Sequence, residues 1–139
     1  VRLVLPLELG VTVIAAHIAT TGKNAGEGNF ERLLPMFARY PNLFTDISSL
    51  TQINKLGYLQ RAIAAHGVSD RMIYGSDWPL QFFPLVSPWY QLGRVPFGEL
   101  RRVGRIANQW DRDVALKRAI GVPSPVFDRT RVVLGIGSN

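Results

Sequence analysis

The chain has no cysteine. That excludes a disulfide framework and any thiolate metal site, and it fits a reducing, cytoplasmic compartment. Histidine is almost as scarce: there are two, His17 and His66. No run approaches the ~18 apolar residues of a membrane-spanning helix, so no membrane partner is expected. A secretory leader is imitated by Arg2, the apolar residues after it and Ala15-Ala16, but Glu8 interrupts the run and Pro6 and Gly10 punctuate it. Acidic residues are few, 10 against 16 basic ones, for a net charge of +6 and a pI of about 10.3. The basic residues are scattered. Their densest set (Arg94, Arg101, Arg102, Arg105, Arg112, Lys117 and Arg118) falls on predicted C-terminal helices without any recognisable nucleic-acid motif, which suggests a solvated or interdomain face and no nucleic-acid partner. The first residue is Val1 and not Met, which suggests a chain that begins inside a larger protein.

What is present is an ordinary globular composition, 47% hydrophobic and 19% charged, over 139 residues. That is about one domain, long enough to bury a core. The organising stretch is Met72-Ile73-Tyr74-Gly75-Ser76-Asp77-Trp78-Pro79, an apolar run that presents one carboxylate and is stopped by proline. Two similar runs precede it: Val11 to Ala16, ending at His17, and Leu43 to Thr45, ending at Asp46. His17 lies 29 residues before Asp46, and Asp46 lies 31 before Asp77. A strand–helix unit of a parallel sheet takes about 30 residues, and eight make a barrel of roughly 250. The chain therefore reads as α/β, three consecutive units of a (β/α) barrel with polar side chains at the C-terminal strand ends.

Between these strands the sequence predicts the end of a helix before Gly10, a loop over 18–28, and one helix with Phe30, Leu33, Leu34, Phe37 and Ala38 on its apolar face and Asn29 as its cap. A polar connection over 48–54 leads to a helix over 55–66, with Leu56, Leu59, Ala62 and Ile63 inward. The near-continuous apolarity of Val11 to Ala16 predicts burial on both faces. An irregular, aromatic-rich segment spans 80–96, and a loop of that length in a compact domain is usually functional. Helices follow over 97–107 and 109–120, with Asp113 and Lys117 as an i,i+4 pair, and a last one begins at Ser124-Pro125 and runs into a loose end at 135–139.

Chemistry concentrates at the strand ends. A strand-end imidazole can bind a divalent metal or take a proton near neutral pH, or simply serve as a rim residue on a carbonyl. A carboxylate following an apolar strand needs a partner, because an unpaired buried charge is expensive; Asp77 is a ligand, a general base, a helix cap or an ion-pair member. Asp46 shares a face with Ser48, and pairing with an arginine is the better reading for it. His66, at a predicted helix C-terminus, reads as structural.

Three motifs carry a resemblance: Val13-Ile14-Ala15-Ala16-His17, Tyr40-Pro41-Asn42-Leu43-Phe44-Thr45-Asp46-Ile47-Ser48, and Arg71 through Pro79. Together with the tail Trp110 to Ala119, they resemble the C-terminal part of the amidohydrolase-2 branch of metal-dependent hydrolases. The resemblance implies a (β/α)8 TIM barrel around one or two divalent ions, commonly zinc. It matches Asp77 to the strand-8 aspartate that ligates the metal and handles the proton of its water, and His17 to the strand-6 histidine that binds or polarises metal-bound water or substrate. Asp46 falls on strand 7, which has no fixed metal ligand in that family.

The family's first-strand His-x-His pair is absent, and so are its middle-strand ligands. One histidine and one aspartate do not make the three-ligand site of a catalytic zinc. The expectation is a single incomplete domain, 1–139: strands 6 to 8 with their helices (1–79), an active-site-side loop (80–96) and C-terminal helices (97–139). It would come from an enzyme that hydrolyses or decarboxylates a small-molecule substrate, and would be inactive alone. The missing N-terminal barrel half, or another copy of the chain, would be its partner. The alternative is a non-catalytic α/β module that docks onto a partner chain.

Overall fold

The computed structural model describes residues 3–79 and 85–136. Its order is α1 (Val4–Glu8), β1 (Val13–Ala15), β2 (Lys23–Asn24), β3 (Glu27–Gly28), α2 (Asn29–Leu33), α3 (Met36–Arg39), β4 (Leu43–Asp46), α4 (Tyr58–Ala64), β5 (Met72–Ile73), α5 (Phe97–Gly104), α6 (Gln109–Ile120) and α7 (Pro125–Val133). Short 3-10 turns at Ala16–Ala19, Ile53–Lys55, Ser69–Arg71 and Pro88–Gln91 fill the strand and helix ends.

The main sheet runs β1-β4-β5 and is parallel throughout. Ala15 pairs with Thr45 and Thr45 with Met72, while Ile14 pairs with Phe44 and Asp46 with Ile73. Side chains in register share a face, so the sheet has two unlike sides. Val13, Ala15, Leu43 and Met72 join the main core, with Phe30, Leu33 and Phe37 from α2 and α3, Leu59 and Ala62 from α4, and Val126 from α7. Each fully buried side chain of this size contributes about 1.5–3 kcal/mol. The opposite face carries Ile14, Phe44 and Asp46, all only partly buried, and Ile73, which is buried. The expected burial of Val11 to Ala16 on both faces is thus corrected. The strand is shorter, Val11 and Ala16 are exposed, and the helices cover one side.

Other differences are local. Residues 18–28 contain a hairpin: Ala25 (φ 53°) and Gly26 (φ 82°) form the two-residue, positive-φ turn that suits the strand twist. The helix after it is broken in two at Pro35, which has no N–H to donate. Asn29 is its first residue and not its cap; its amide donates to the Thr21 carbonyl instead. The fourth helix begins at Tyr58, after Gly57 at φ 89°. Ser124 precedes Pro125 without making a side-chain cap bond, whereas Asn108 caps α6 by accepting from the Trp110 and Asp111 N–H groups. The expectation for 80–96 falls partly on residues 80–84, outside the described residues, as does the 137–139 end. The first described part of that segment lies along the loop after β4, where the Ile53 N–H donates to the Leu85 carbonyl.

α7 closes the end of the sheet. The Tyr74 N–H donates to the Val126 carbonyl, the Thr130 hydroxyl to the Tyr74 carbonyl, and the Arg129 guanidinium to the Ser69 and Met72 carbonyls. A smaller cluster of Val95, Leu100, Val103 and Leu116 joins α5 to α6.

Candidate active site

The chain leaves β1 by a sharp turn. His17 (φ 52°), Ile18 (φ 45°) and Ala19 (φ 53°) are all left-handed, a rare conformation for non-glycine residues and rarer still for β-branched isoleucine. Strain of this kind, about 1–3 kcal/mol per residue, persists only where the surroundings over-determine it. Here they do: Ile18 is fully buried, and the His17 N–H donates to Asp46 Oδ1 at 3.0 Å.

Asp46 Oδ1 also accepts from the Ser48 N–H at 3.0 Å and from the Ser48 hydroxyl. Ser48 Oγ in turn lies 2.7 Å from His17 Nδ1. Proton accounting fixes the direction of this chain. A carboxylate can only accept, so the single hydroxyl proton points at Asp46, and Ser48 Oγ must then accept from Nδ1–H. In the neutral ring this leaves Nε2 bare, the form suited to a metal or a proton. Nε2 faces Asp77 Oδ2 across 4.0 Å. The His17 and Asp77 side chains retain 28% and 20% of their exposure, so solvent reaches both.

Asp77 is itself left-handed (φ 57°) and follows β5. The segment leading to it is held by α6. The Tyr74 hydroxyl donates to Asp113 Oδ2 at 3.0 Å, and Lys117 Nζ donates to the same oxygen at 2.6 Å and to the Gly75 carbonyl at 3.3 Å. Lys117 lies 4.8 Å from the centre of the Tyr74 ring, and Trp78 stacks on Trp110 at 5.5 Å. Lys117 is only 1% exposed. Burial lowers its affinity for a proton and the Asp113 carboxylate opposes that; burial, with Asp113 beside it, raises the Tyr74 phenol. Gly75 is needed for space, since a Cβ there would meet the Cβ atoms of Asp46 and Ser48, each at 3.3 Å.

The loop between β4 and α4 contributes one more charge. Lys55 Nζ donates to Ser49 Oγ at 2.6 Å, and Ser49 is another left-handed residue (φ 51°). Burial lowers the Lys55 proton affinity, while Asp77 and Asp46 act to raise it.

The structure thus brings His17, Asp46 and Asp77 to one rim. Asp46 is not paired with an arginine, as its sequence context suggested; backbone N–H groups and a serine hydroxyl satisfy it. His66 is exposed and lies beyond the end of α4, away from this cluster. Sequence reasoning missed Lys55 and the burial of Lys117. As to a metal, His17 Nε2 and Asp77 Oδ2 are donors of the kind a divalent ion takes, and their 4.0 Å separation is wider than the roughly 3.4 Å that two tetrahedral zinc ligands span. Among the described residues, however, no three histidine, cysteine or acidic side chains are placed to hold one metal ion. His17 and Asp77 fit a divalent ion as two of its donors, and nothing described supplies a third.

The amidohydrolase family model matches residues 9–118. The chain belongs to the amidohydrolase family. The matched stretch takes in all three strand-end residues and α6 as far as Arg118, and stops before α7. No curated protein and no solved structure matches the chain. Among the described residues of the amidohydrolase chain, no helix is long and apolar enough to cross a membrane.

Proposed function

We propose that this chain forms strands 6 to 8 and the closing helices of an amidohydrolase barrel, one incomplete domain whose rim handles the water and metal of a small-molecule hydrolase or decarboxylase. The observation that carries this reading is the 4.0 Å approach of His17 Nε2 to the Asp77 carboxylate at the C-terminal ends of parallel strands. His17 and Asp77 would hold the divalent ion, zinc by the family's habit, which when bound supplies a polarised water and a Lewis acid. The chain's own residues do the rest. Ser48 and Asp46 fix the tautomer of His17, as the outer partners of metal-bound histidines do. Asp77 accepts the proton of the attacking water, and His17 steadies the water or the developing oxyanion. With two donors the chain alone is inactive, and the remaining ligands come from an N-terminal barrel half.

Zinc titration of the chain followed by NMR tests this. His17 Nε2 should shift with added zinc, and Asp77→Asn should abolish the shift while leaving the fold intact. An Asp77→Asn chain that takes up zinc like the wild type overturns the reading.

A second reading is favoured by one feature. β1 is the sheet's uncovered edge, since α7 bonds the outer side of β5, and the face with Ile14 and Phe44 is only partly covered. Open edges recruit strands, so the chain could dock on a partner or on itself without catalysis. A monodisperse monomer in sedimentation that binds zinc through Asp77 rejects this alternative.

A further inference from the structure

We propose that Lys117 is a positioning residue for Asp77: by holding the Gly75 carbonyl it fixes where the strand exit delivers the Asp77 carboxylate relative to the His17 ring. The inference rests on the amidohydrolase reading above and adds a residue of α6 to its machinery. Three α6 side chains reach the segment that carries Asp77. They lie at 110, 113 and 117, a spacing that sets them on one face of the helix. Trp110 stacks on Trp78 at 5.5 Å, Asp113 accepts from the Tyr74 hydroxyl at 3.0 Å, and Lys117 donates to the Gly75 carbonyl at 3.3 Å. Asp77 falls between these grips, and its backbone is left-handed (φ 57°). A conformation that rare for aspartate persists where the surroundings hold it, and here the residues on both sides are held by the same helix face.

The grip at Gly75 also reaches the other half of the site. A Cβ on Gly75 would meet the Cβ atoms of Asp46 and Ser48 at 3.3 Å, so the exits of β4 and β5 touch at this residue. Asp46 and Ser48 are the pair that fixes the His17 backbone and ring. Gly75 is therefore common to the support of His17 and to the approach to Asp77, and Lys117 is the side chain that holds its carbonyl. Stability does not account for the choice of residue. The Lys117 and Asp113 side chains are 1% and 4% exposed, and two apolar side chains of similar volume would pack α6 on the strand as well or better. What they would lack is a directional bond to a backbone carbonyl. Among the described residues the ammonium has two hydrogen-bond acceptors, Asp113 Oδ2 at 2.6 Å and that carbonyl. The carboxylate answers the charge, and the carbonyl receives the positioning.

The test compares the folded chain with the double variant Asp113→Leu, Lys117→Met, which removes the ammonium together with its counter-charge. NMR gives two readouts: the Overhauser contact between His17 Hε1 and the Asp77 β protons without metal, and the zinc affinity from the His17 shifts. The wild type should show the contact. The double variant should lose it and bind zinc at least fivefold more weakly. Phe37→Leu, which trims the core on α3, should change neither readout. A pair that served packing alone would move stability and leave both readouts in place. The proposal is overturned if the wild type lacks the contact, if the folded double variant keeps it, if that variant binds zinc within fivefold of a zinc-binding wild type, or if Phe37→Leu disturbs the readouts as much. If the double variant does not fold, Trp110→Ala decides, since it releases the other end of the helix face from an exposed position. An unchanged contact in Trp110→Ala then overturns the proposal, and a lost one supports it. The metal reading is scored separately. A wild type that binds no zinc while the double variant loses the contact sinks the metal reading alone. Zinc uptake through Asp77 with the contact intact in the double variant sinks the positioning role alone.

Discussion

Two buried lysines flank the same rim under opposite conditions. Lys117 sits on α6 with Asp113 one turn away and an aromatic ring and a carbonyl around it. Lys55 sits in the loop after β4, and among the described residues its one hydrogen-bond partner is the Ser49 hydroxyl. The first region is closed: every strong group except Asp113 Oδ1 has a partner, and the result clamps the path to Asp77. The second is open, with an ammonium short of partners. A charge enclosed with its counter-charge is architecture, whereas one enclosed beside a neutral hydroxyl costs the fold stability.

The largest effect expected from breaking this contrast is at Asp113. Asp113→Leu strands the Lys117 ammonium in the interior and should cost about 3–5 kcal/mol in urea unfolding, whereas Asp113→Leu with Lys117→Met should return to within about 1 kcal/mol of wild type or exceed it. If the single variant is as stable as wild type, the clamp is not structural.

Next comes Asp46→Ala, which strips acceptors from the His17 N–H, the Ser48 N–H and the Ser48 hydroxyl. With part of the loss recovered by water, the cost should be about 2–3 kcal/mol, and the 15N shifts of His17 should show a mixture of tautomers in place of the Nδ1–H form.

The smallest effect is at Lys55. Lys55→Met should lie within about 1 kcal/mol of wild type or above it, because no ion pair is lost. Its pH dependence has a definite sign. Burial holds Lys55 below its ordinary value of 10.5, so between the lowered value and 10.5 the unfolded chain binds the extra proton and the wild-type fold gains stability as pH rises. Lys117 behaves alike in both proteins and cancels. Any advantage of Lys55→Met measured by denaturation should therefore shrink as pH climbs toward 10.5; an advantage that grows contradicts the assignment.

The two regions also differ in how far they could be read in advance. The strand-end trio was legible because the parallel unit repeats at about 30 residues and each strand ends on a polar side chain, and the 109–120 helix was legible between Asn108 and Gly121. The Asp113–Lys117 spacing was visible too, but i,i+4 pairs look alike on wet and dry helix faces. Its burial depends on Gly75 and Tyr74, some 40 residues away. The stretch 48–54 read only as a short polar connection, with Lys55 at the start of the next helix. Ser48 to Gln52 and Lys55 are buried there, with Leu85 and Val86 alongside, a pairing that no local pattern announces. Pro35 was a local signal that the apolar periodicity of its neighbours overrode.

One oxygen carries a consequence of its own. Because Asp46 Oδ1 gathers donors from the exit of its own strand and from that of the strand beside it, the two staves are pinned together at a single atom. A rotation of one is passed to the other within the length of a hydrogen bond. The imidazole it steers cannot drift back into solvent without loosening the joint on both sides.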